Sequence, residues 1–267
     1  MGHVEEDHSK AMEIVHPEFR PDPDLSQTEM KHLQQEIANK AVFSDKSNFV
    51  KSWGENRMSP TTCIEPIIAG IDQGFTDNKA VSGILAFKDG ELIERQKGIK
   101  SLEIAYIPGL LAFREGGAII EGLTSLRCEP DILLFDGNGR IHFREAGIAT
   151  HIGVMFDVPT IGIAKNLLCG TPQQPIEKPL PQGTRIPITA NDTVTATTDT
   201  TIGYVFQSKQ YQQTENRYIN PIYISPGHKV SAKTALEIVE ANCSDWKLPD
   251  PINQADSYVS DIQPSKN

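Results

Sequence analysis

With 267 residues, of which 38% are hydrophobic, the chain has the length and composition of one large α/β domain with a substantial core. No run approaches the roughly 18 apolar residues of a membrane span, and the first thirty residues lack an apolar signal sequence, so we expect a cytoplasmic protein with no membrane partner. The net charge of −10 argues against a protein that coats nucleic acid through bulk electrostatics, but not against an enzyme with a basic active-site rim.

The amino-terminal segment is polar, acidic and interrupted by prolines, which predicts a flexible arm over residues 1–25. The remainder, residues 26–267, is predicted to form a single domain. Ser26 and Glu29 have the spacing of a helix capping box. The apolar residues that follow recur at helical spacing and predict a first helix: Met30, Leu33, Ile37 and Ala41.

Three strands are predicted next. Ile64–Phe75 is largely apolar but is interrupted by Asp72, and Lys79–Lys88 and Leu92–Lys100 follow it. Asp89 and Gly90 form a hairpin signal between the second and third of these strands. The pattern therefore predicts three sequential antiparallel strands, the first of which carries an inward-facing acid.

A helix is predicted over Leu110–Cys128, with Glu115 in its second turn. The four residues Tyr106–Gly109, here called the wedge loop, precede it and place an aromatic and a branched apolar side chain on a rigid Pro-Gly turn. Such a tip can insert between bases and stack on them. On residue type alone, packing of the loop onto the core is the alternative.

The central stretch of the chain contains two further strands with charged ends. Ile132–Phe135 is apolar enough to be buried on both faces, and it ends at Asp136. A helix is predicted over Ala146–Phe156, and a second buried strand over Pro159–Ala164 ends at Lys165. Ligands bind at the carboxyl ends of strands in open α/β sheets, so an acid and a lysine there suit a metal ion and a phosphate.

The last third of the chain alternates between loops and short elements. Residues 171–200 predict a long surface loop with short extended pieces, and Ile202–Gln207 and Pro221–Ile224 predict short strands. Two helices are predicted near the end, from Ser231 to Cys243 and from Asp250 to Asp261.

Three acids in this pattern are candidates for a metal site. Asp72, Glu115 and Asp136 each interrupt or end an apolar segment, and buried carboxylates that converge require a compensating cation. Oxygen ligands favour Mg²⁺ or Mn²⁺, which polarise a phosphodiester and activate water. The alternative is that each acid caps a turn or pairs with a basic side chain. His228 follows Ser-Pro-Gly, a turn that would present an imidazole for proton transfer, with a structural turn histidine as the alternative.

Seven sequence blocks in fixed order resemble the endonuclease V family, metal-dependent nucleases that act at deaminated purines. The likeness covers roughly residues 64–258. The blocks are GIDQGF with Asp72, YIPGLLAFREG from Tyr106 to Gly116, LLFDGNG with Asp136, HFREAGIATHIGV, PTIGIAKNLL with Lys165, SPGHKVS with His228, and LPDPINQAD with Asp256.

The resemblance implies a ribonuclease H-like α/β fold, a mixed sheet of three antiparallel strands and then parallel strands flanked by helices. It also implies that Asp72 and Asp136 ligate magnesium and that Glu115 and His228 complete the catalytic group. The implied nucleic-acid contacts are Tyr106, Ile107, Pro108, Gly109 and Lys165. The implied lesion pocket, which takes the flipped base, consists of Gly137, Gly147, Ile148 and Gly153. Two further candidates are Asp256 and Arg144.

The activity implied by the resemblance is DNA repair by a single catalytic domain. The expected reaction is Mg²⁺-dependent cleavage, with Mn²⁺ as a substitute, at the second phosphodiester bond 3′ to deoxyinosine, leaving 3′-hydroxyl and 5′-phosphate ends. The expected partner is DNA with deaminated bases, without an obligate protein partner. The alternatives are a ribonuclease for inosine-containing RNA and a non-catalytic binder of modified nucleic acid, which should have lost an acid.

Overall fold

The computed structural model describes residues 11–55, 66–76, 78–211 and 217–262. The helices are α1 Gln27–Lys40, α2 Asn48–Glu55, α3 Leu111–Thr124, α4 Ile148–Phe156, α5 Ala232–Ala241 and α6 Asp250–Ile262, with a 3-10 turn at Pro17–Phe19. The strands are β1 Ile67–Thr76, β2 Lys79–Lys88, β3 Glu91–Ser101, β4 Ile132–Asp136, β5 Thr160–Ala164, β6 Thr171–Pro172, β7 Arg185–Thr189, β8 Thr201–Phe206 and β9 Ile222–His228. None of the helices in the described ranges is long and apolar enough to span a bilayer.

The nine strands form one mixed sheet in the order β3-β2-β1-β4-β5-β9-β8-β7-β6. Strands β1, β2 and β3 are antiparallel, whereas β4 and β5 run parallel to β1. The predicted fold class, with three antiparallel strands followed by parallel ones, is confirmed. Because β1, β4 and β5 are parallel neighbours, their carboxyl ends lie at the same edge of the sheet.

Helices cover both faces of the central strands, which explains why β4 is apolar without alternation. Leu133 and Phe135 point into a core beneath α1, α3 and α4. Ile132 and Leu134 point to the opposite face and join the core beneath α2, α5 and α6. A continuous apolar run is therefore the expected sequence of a strand that is buried on both sides.

Helix α6 lies unusually close to β1 and β2 because two strand residues lack side chains. A Cβ atom at Gly70 would collide with the carbonyl group of Pro251, and one at Gly83 would lie 2.7 Å from Cγ2 of Val259. The helix that carries Asp256 is thereby held against the strand that carries Asp72. Periodicity along the chain predicts the helix, but it does not predict this close approach.

The described part of the expected flexible arm is packed on the core, which corrects that prediction for residues 11–25. Met12 and Phe19 are buried. The backbone N–H groups of Val15 and His16 both donate to the carbonyl of Met155, at 3.0 and 2.9 Å. The apolar residues of this segment are spaced irregularly between prolines, so no periodic pattern indicates their burial. Residues 1–10 lie outside the described residues, and the remaining domain assignment stays a prediction.

Other element boundaries differ modestly from the sequence predictions. The expected start of the first strand, Ile64, lies outside the described residues, and β1 is described from Ile67. The loop predicted over residues 171–200 contains the short strands β6 and β7, which agree with the short extended pieces expected there. The expected turn Ser-Pro-Gly-His is instead the end of β9, which continues through His228.

Candidate functional site

Two carboxyl groups lie side by side where β4 ends next to the middle of β1. Asp72 is only 5% exposed, and Asp136 lies on the adjacent strand within hydrogen-bonding reach of it. Burial, followed by the charges of Asp136 and Asp256, raises the pKa of Asp72 to about 8, against the opposing effect of Lys165. Two carboxyl groups in this arrangement are stable only if a proton or a cation lies between them.

Lys165 follows β5 at the same edge of the sheet and supplies part of the compensating charge. Its Nζ donates to Oδ2 of Asp136 at 2.7 Å. Partial burial lowers the pKa of Lys165, but the hydrogen bond to Asp136 and the charges of the surrounding acids outweigh it, and the pKa is raised overall. One ammonium group therefore balances only part of the negative charge at this edge.

Glu115 approaches the same edge from the first turns of α3 and is buried. Burial raises the pKa of its carboxyl group to about 7; Arg114 opposes the shift and the charge of Asp136 adds to it. The guanidinium of Arg114 lies 4.9 Å from the ring centroid of Phe75, an arrangement typical of a cation–π contact. Glu115 thus lies near enough to Asp136 for the two charges to interact, and its place in a shared metal site with Asp72 and Asp136 stays a prediction.

Asp256 joins this group from α6. Ile252, Ala255 and Val259 anchor the buried face of the helix, while Asp256 is exposed at its edge. Its charge acts on both Asp72 and Lys165. We call Asp72, Glu115, Asp136 and Asp256 the acidic cluster.

The donor chemistry of the acidic cluster fits a divalent cation. All four side chains offer carboxylate oxygens, the ligands that Mg²⁺ and Mn²⁺ prefer. Within the described ranges, no three His, Cys, Asp or Glu side chains are already close enough together to ligate one ion. Asp136 instead accepts a hydrogen bond from Lys165. Asp72 and Asp136 are the pair that would hold it.

His228 does not lie with the acids, which corrects its predicted placement. It pairs with Thr160 at the start of β5, whereas Asp136 pairs with Ile163 near the end of that strand. Three residue steps along β5 separate Thr160 from Ile163, which corresponds to roughly 10 Å. His228 is also buried at 2% exposure, in a strand rather than in an outward-facing turn.

The contacts of His228 are those of a structural residue. The backbone N–H of Val42 donates to Nδ1 at 3.2 Å, so Nε2 carries the proton in the neutral ring and faces Oδ1 of Asp157 at 3.2 Å. Burial lowers the pKa of His228, although Asp157 opposes the shift. Lys229 completes the arrangement, with its Nζ 2.8 Å from both the carbonyl and Oδ2 of Asp157. We call His228, Asp157 and Lys229 the clasp.

The wedge loop projects Tyr106, which is 63% exposed, while Pro108 is exposed beside it. Ile107 turns inward and packs in the small cluster around Leu110, so it anchors the loop rather than projecting from it. Gly109 ends the loop with φ of +78°, and a Cβ there would lie 3.3 Å from the Arg144 guanidinium, so only glycine fits this position without strain.

A cavity of about 70 Å³ separates the wedge loop from the start of α4. The residues of interest that line it are Gln34, Tyr106, Gly109, Asn138, His142, Gly147 and Ile148. Two of the predicted lesion-pocket residues, Gly147 and Ile148, therefore line this cavity, and their contact with a flipped base stays a prediction. Gly137 lies behind Ile148, and Gly153 packs against Thr160 and His228, so neither lines this cavity.

Sequence reasoning missed Gln34. Its amide contacts the wedge loop, and it lies on the buried face of α1 with Met30 and Ile37. One feature of the sequence could have indicated it: Gln34 is a polar residue at a position of α1 where helical spacing predicts a buried, apolar one. Arg144, a predicted candidate, donates from Nη2 to the Gly109 carbonyl at 3.2 Å and is partly buried, so it supports the loop from within.

Comparison with known proteins identifies the family. The Endonuclease V family model matches residues 54–257. Endonuclease V of Haloarcula marismortui is 50% identical over 268 residues, covering 93% of this chain and 97% of that protein. The crystal structure of the Bacillus subtilis protein superposes with a TM-score of 0.72 at 25% identity, over 90% of this chain and 94% of that one. The Ciona intestinalis protein, solved with a 24mer DNA containing an inosine, shares the fold at a TM-score of 0.64 and 24% identity, over 88% and 96% of the two chains. The chain belongs to the endonuclease V family.

Proposed function

We propose that this endonuclease hydrolyses DNA at the second phosphodiester bond 3′ to deoxyinosine in a Mg²⁺-dependent reaction, leaving 3′-hydroxyl and 5′-phosphate ends. The observation that carries the proposal is the pair of carboxyl groups of Asp72, in the middle of β1, and Asp136, at the end of β4, beside Lys165. Membership of the endonuclease V family supports the reaction class.

The residues of the site divide the chemical work. Asp72 and Asp136 would hold Mg²⁺, which when bound polarises the phosphodiester and makes water a better nucleophile. Lys165 is placed to neutralise charge on the scissile phosphate. Glu115 and Asp256 complete the group from opposite faces of the sheet. Asp256 thus takes the role that the family resemblance gave to His228.

The lesion is handled by the neighbouring loop and cavity. Tyr106, exposed at the tip of the wedge loop, enters the base stack and fills the space left by the flipped base. The backbone groups of Gly147 and Ile148 contact the extruded hypoxanthine. The inosine-containing DNA bound by the Ciona intestinalis protein is a ligand of the kind proposed here.

The proposal is tested by a nicking assay with matched substrates. Duplex DNA with one deoxyinosine, the same duplex with adenine, and an inosine-containing RNA strand are each incubated with the protein in Mg²⁺, in Mn²⁺ and in EDTA. We expect a nick one nucleotide beyond the inosine in the DNA duplex, in either metal and not in EDTA. Preferential cleavage of the RNA would reassign the substrate, and binding of inosine DNA without cleavage in any metal would make the protein a non-catalytic binder.

A further inference from the structure

We propose that Gln34 is a positioning residue that holds the wedge loop at a fixed distance from the lesion pocket, so that α1 forms part of the nucleic-acid site. The inference rests on the proposed function, because it assigns Gln34 a role in recognising the lesion. The family model begins at residue 54, so α1 lies outside the matched segment and the match does not assign a role to it.

Gln34 is a polar side chain in an apolar setting. It is 1% exposed and lies on the same helix face as Met30 and Ile37, both of which are buried. Burial of an amide is costly unless its hydrogen bonds are made. Gln34 makes three: Nε2 lies 2.9 Å from the carbonyl of Gly109 and 3.4 Å from that of Ala146, and Oε1 lies 2.7 Å from Nε of Arg144.

The chemistry of the partners fixes the orientation of the amide. The guanidinium of Arg144 can only donate, so the Gln34 atom that faces it must be the oxygen. The NH₂ group then necessarily faces Gly109 and Ala146, whose carbonyls can only accept. No other orientation satisfies all three partners.

Two other donors converge on the same carbonyl of Gly109. Nη2 of Arg144 lies at 3.2 Å and Nε2 of His142 at 3.1 Å. The backbone N–H of Arg144 donates to Nδ1 of His142 at 3.2 Å, which places the imidazole proton on Nε2, toward Gly109. The end of the wedge loop is therefore held by donors from α1 and from the segment that precedes α4.

The two carbonyls that Gln34 contacts belong to the two sides of the cavity. Gly109 ends the loop that projects Tyr106, and Ala146 immediately precedes Gly147 of the lesion pocket. One amide group thus spans the gap between the wedge and the pocket. Loss of this bridge would leave Tyr106 less ordered before binding, and the ordering cost would then reduce affinity for the lesion.

The experiment compares Gln34→Met and Gln34→Glu with Gln35→Met. Methionine is close to glutamine in size but makes no hydrogen bonds to the carbonyls, and glutamate accepts from Arg144 but cannot donate to Gly109 or Ala146. Gln35 is exposed on the same helix, so its substitution is a matched control. Affinity for a deoxyinosine duplex and for the same duplex with adenine is measured in EDTA, with 2-aminopurine opposite the neighbouring base to report disruption of the stack.

Both Gln34 variants are expected to bind the deoxyinosine duplex about 10-fold more weakly, with a smaller 2-aminopurine signal. Their affinity for the adenine duplex should stay within about 2-fold of the parent, because binding of a duplex without a lesion does not use the wedge bridge. Gln35→Met should match the parent throughout.

A second pair of variants tests whether Gln34 acts through Tyr106. In a Tyr106→Ala background, the 10-fold effect of Gln34→Met should shrink to about 2-fold or less. An undiminished effect in that background, or unchanged lesion affinity in folded Gln34 variants, would overturn the proposal. If the parent itself failed to distinguish inosine from adenine, the proposed function would fail instead, which is a separate outcome.

Discussion

Strand β5 has an aspartate–lysine pair near each end, and the two pairs differ in their charge balance. At the carboxyl end, Lys165 meets Asp136 at 2.7 Å, and further acids surround them. At the amino end, Lys229 meets Asp157 at 2.8 Å, and His228 supplies a further hydrogen bond. The acidic cluster carries a surplus of negative charge, whereas the charges of the clasp compensate one another.

The difference supports the proposal that the reaction takes place at the carboxyl end of β5. Buried charge without full compensation is costly and persists where function requires it, whereas compensated charge is typical of structural contacts. A wider cleft of about 880 Å³ adjoins the clasp and is lined by Asp157 and Lys229, but it contains no member of the acidic cluster. The wider cleft therefore lies at the end of β5 opposite the proposed metal site.

The largest effect on nicking is expected from substitutions in the acidic cluster. Asp136→Ala or Asp72→Asn should reduce nicking of the deoxyinosine duplex by roughly 10³-fold or more, because a bound metal contributes several kcal/mol to transition-state stabilisation. The melting temperature should stay unchanged or rise, since each change removes a repulsive carboxylate. Cleavage rates and thermal melts of the same preparations check both statements, and global unfolding of both variants would make these acids structural.

Two buried histidines, His142 and His151, differ from the acidic cluster because they are uncharged in the folded protein, and they should make its stability depend on pH. Burial lowers the pKa of His142 and of His151 to about 4 each, below the ordinary value of 6.5. Below pH 6.5 the unfolded chain therefore binds more protons than the folded protein does. The free energy of unfolding, which is at its full value above pH 6.5, falls as the pH is lowered toward 4, by roughly 2 kcal/mol per histidine at pH 5. Urea unfolding from pH 8 to pH 4.5 measures this loss.

His151→Gln is the matched variant for the acid effect. The glutamine amide can replace the contact of Nε2 with the Phe19 carbonyl, which is 2.7 Å long, but it does not titrate. The loss of stability between pH 8 and pH 5 should be roughly 2 kcal/mol smaller than in the parent. An identical pH dependence in the two proteins would show that His151 does not control it.

A smaller effect is expected at the wedge loop. Tyr106→Ala should weaken binding of the deoxyinosine duplex by about 10- to 100-fold, because stacking on an aromatic side chain contributes roughly 1–3 kcal/mol per base. Stability should change little, since the ring is exposed. Titration of labelled duplex checks the affinity, and equal cleavage of subsaturating inosine duplex by variant and parent would contradict the assignment.

The smallest effect on cleavage is expected at the clasp. His228→Ala should lower the free energy of unfolding by about 1–3 kcal/mol, because it removes buried hydrogen bonds to Val42 and Asp157. The cleavage rate of the folded fraction should remain within about 2-fold. A large loss of rate with unchanged stability would instead restore the catalytic role first expected for this histidine.

Local sequence patterns predicted much of the fold and part of the site. The buried strands that lead to Asp136 and Lys165 could be predicted because their apolar runs stop at charged residues. The wedge loop was legible from its rigid Pro-Gly turn. The expectation that Asp72, Glu115 and Asp136 share a metal site followed from the cost of burying unpaired acids, and it stays a prediction.

Features that depend on packing between distant segments could not be predicted from local sequence patterns. The contribution of Asp256 depends on the close approach of α6 to Gly70 and Gly83. The position of His228 depends on the pairing of β9 with β5. Because the two strands are antiparallel, the end of β9 that carries His228 lies beside the start of β5, away from Asp136. The packing of residues 11–25 and the bridge made by Gln34 likewise arise only from tertiary contacts.

The most direct test of the account is calorimetric titration of Mg²⁺ into the DNA-free protein and three variants. Asp72→Asn and Asp136→Asn alter the acidic cluster, and Asp157→Asn alters the clasp. We expect the parent and Asp157→Asn to bind the ion equally, and the two cluster variants to bind it at least 10-fold more weakly. Equal binding by all four proteins, or loss of binding only in Asp157→Asn, would contradict it.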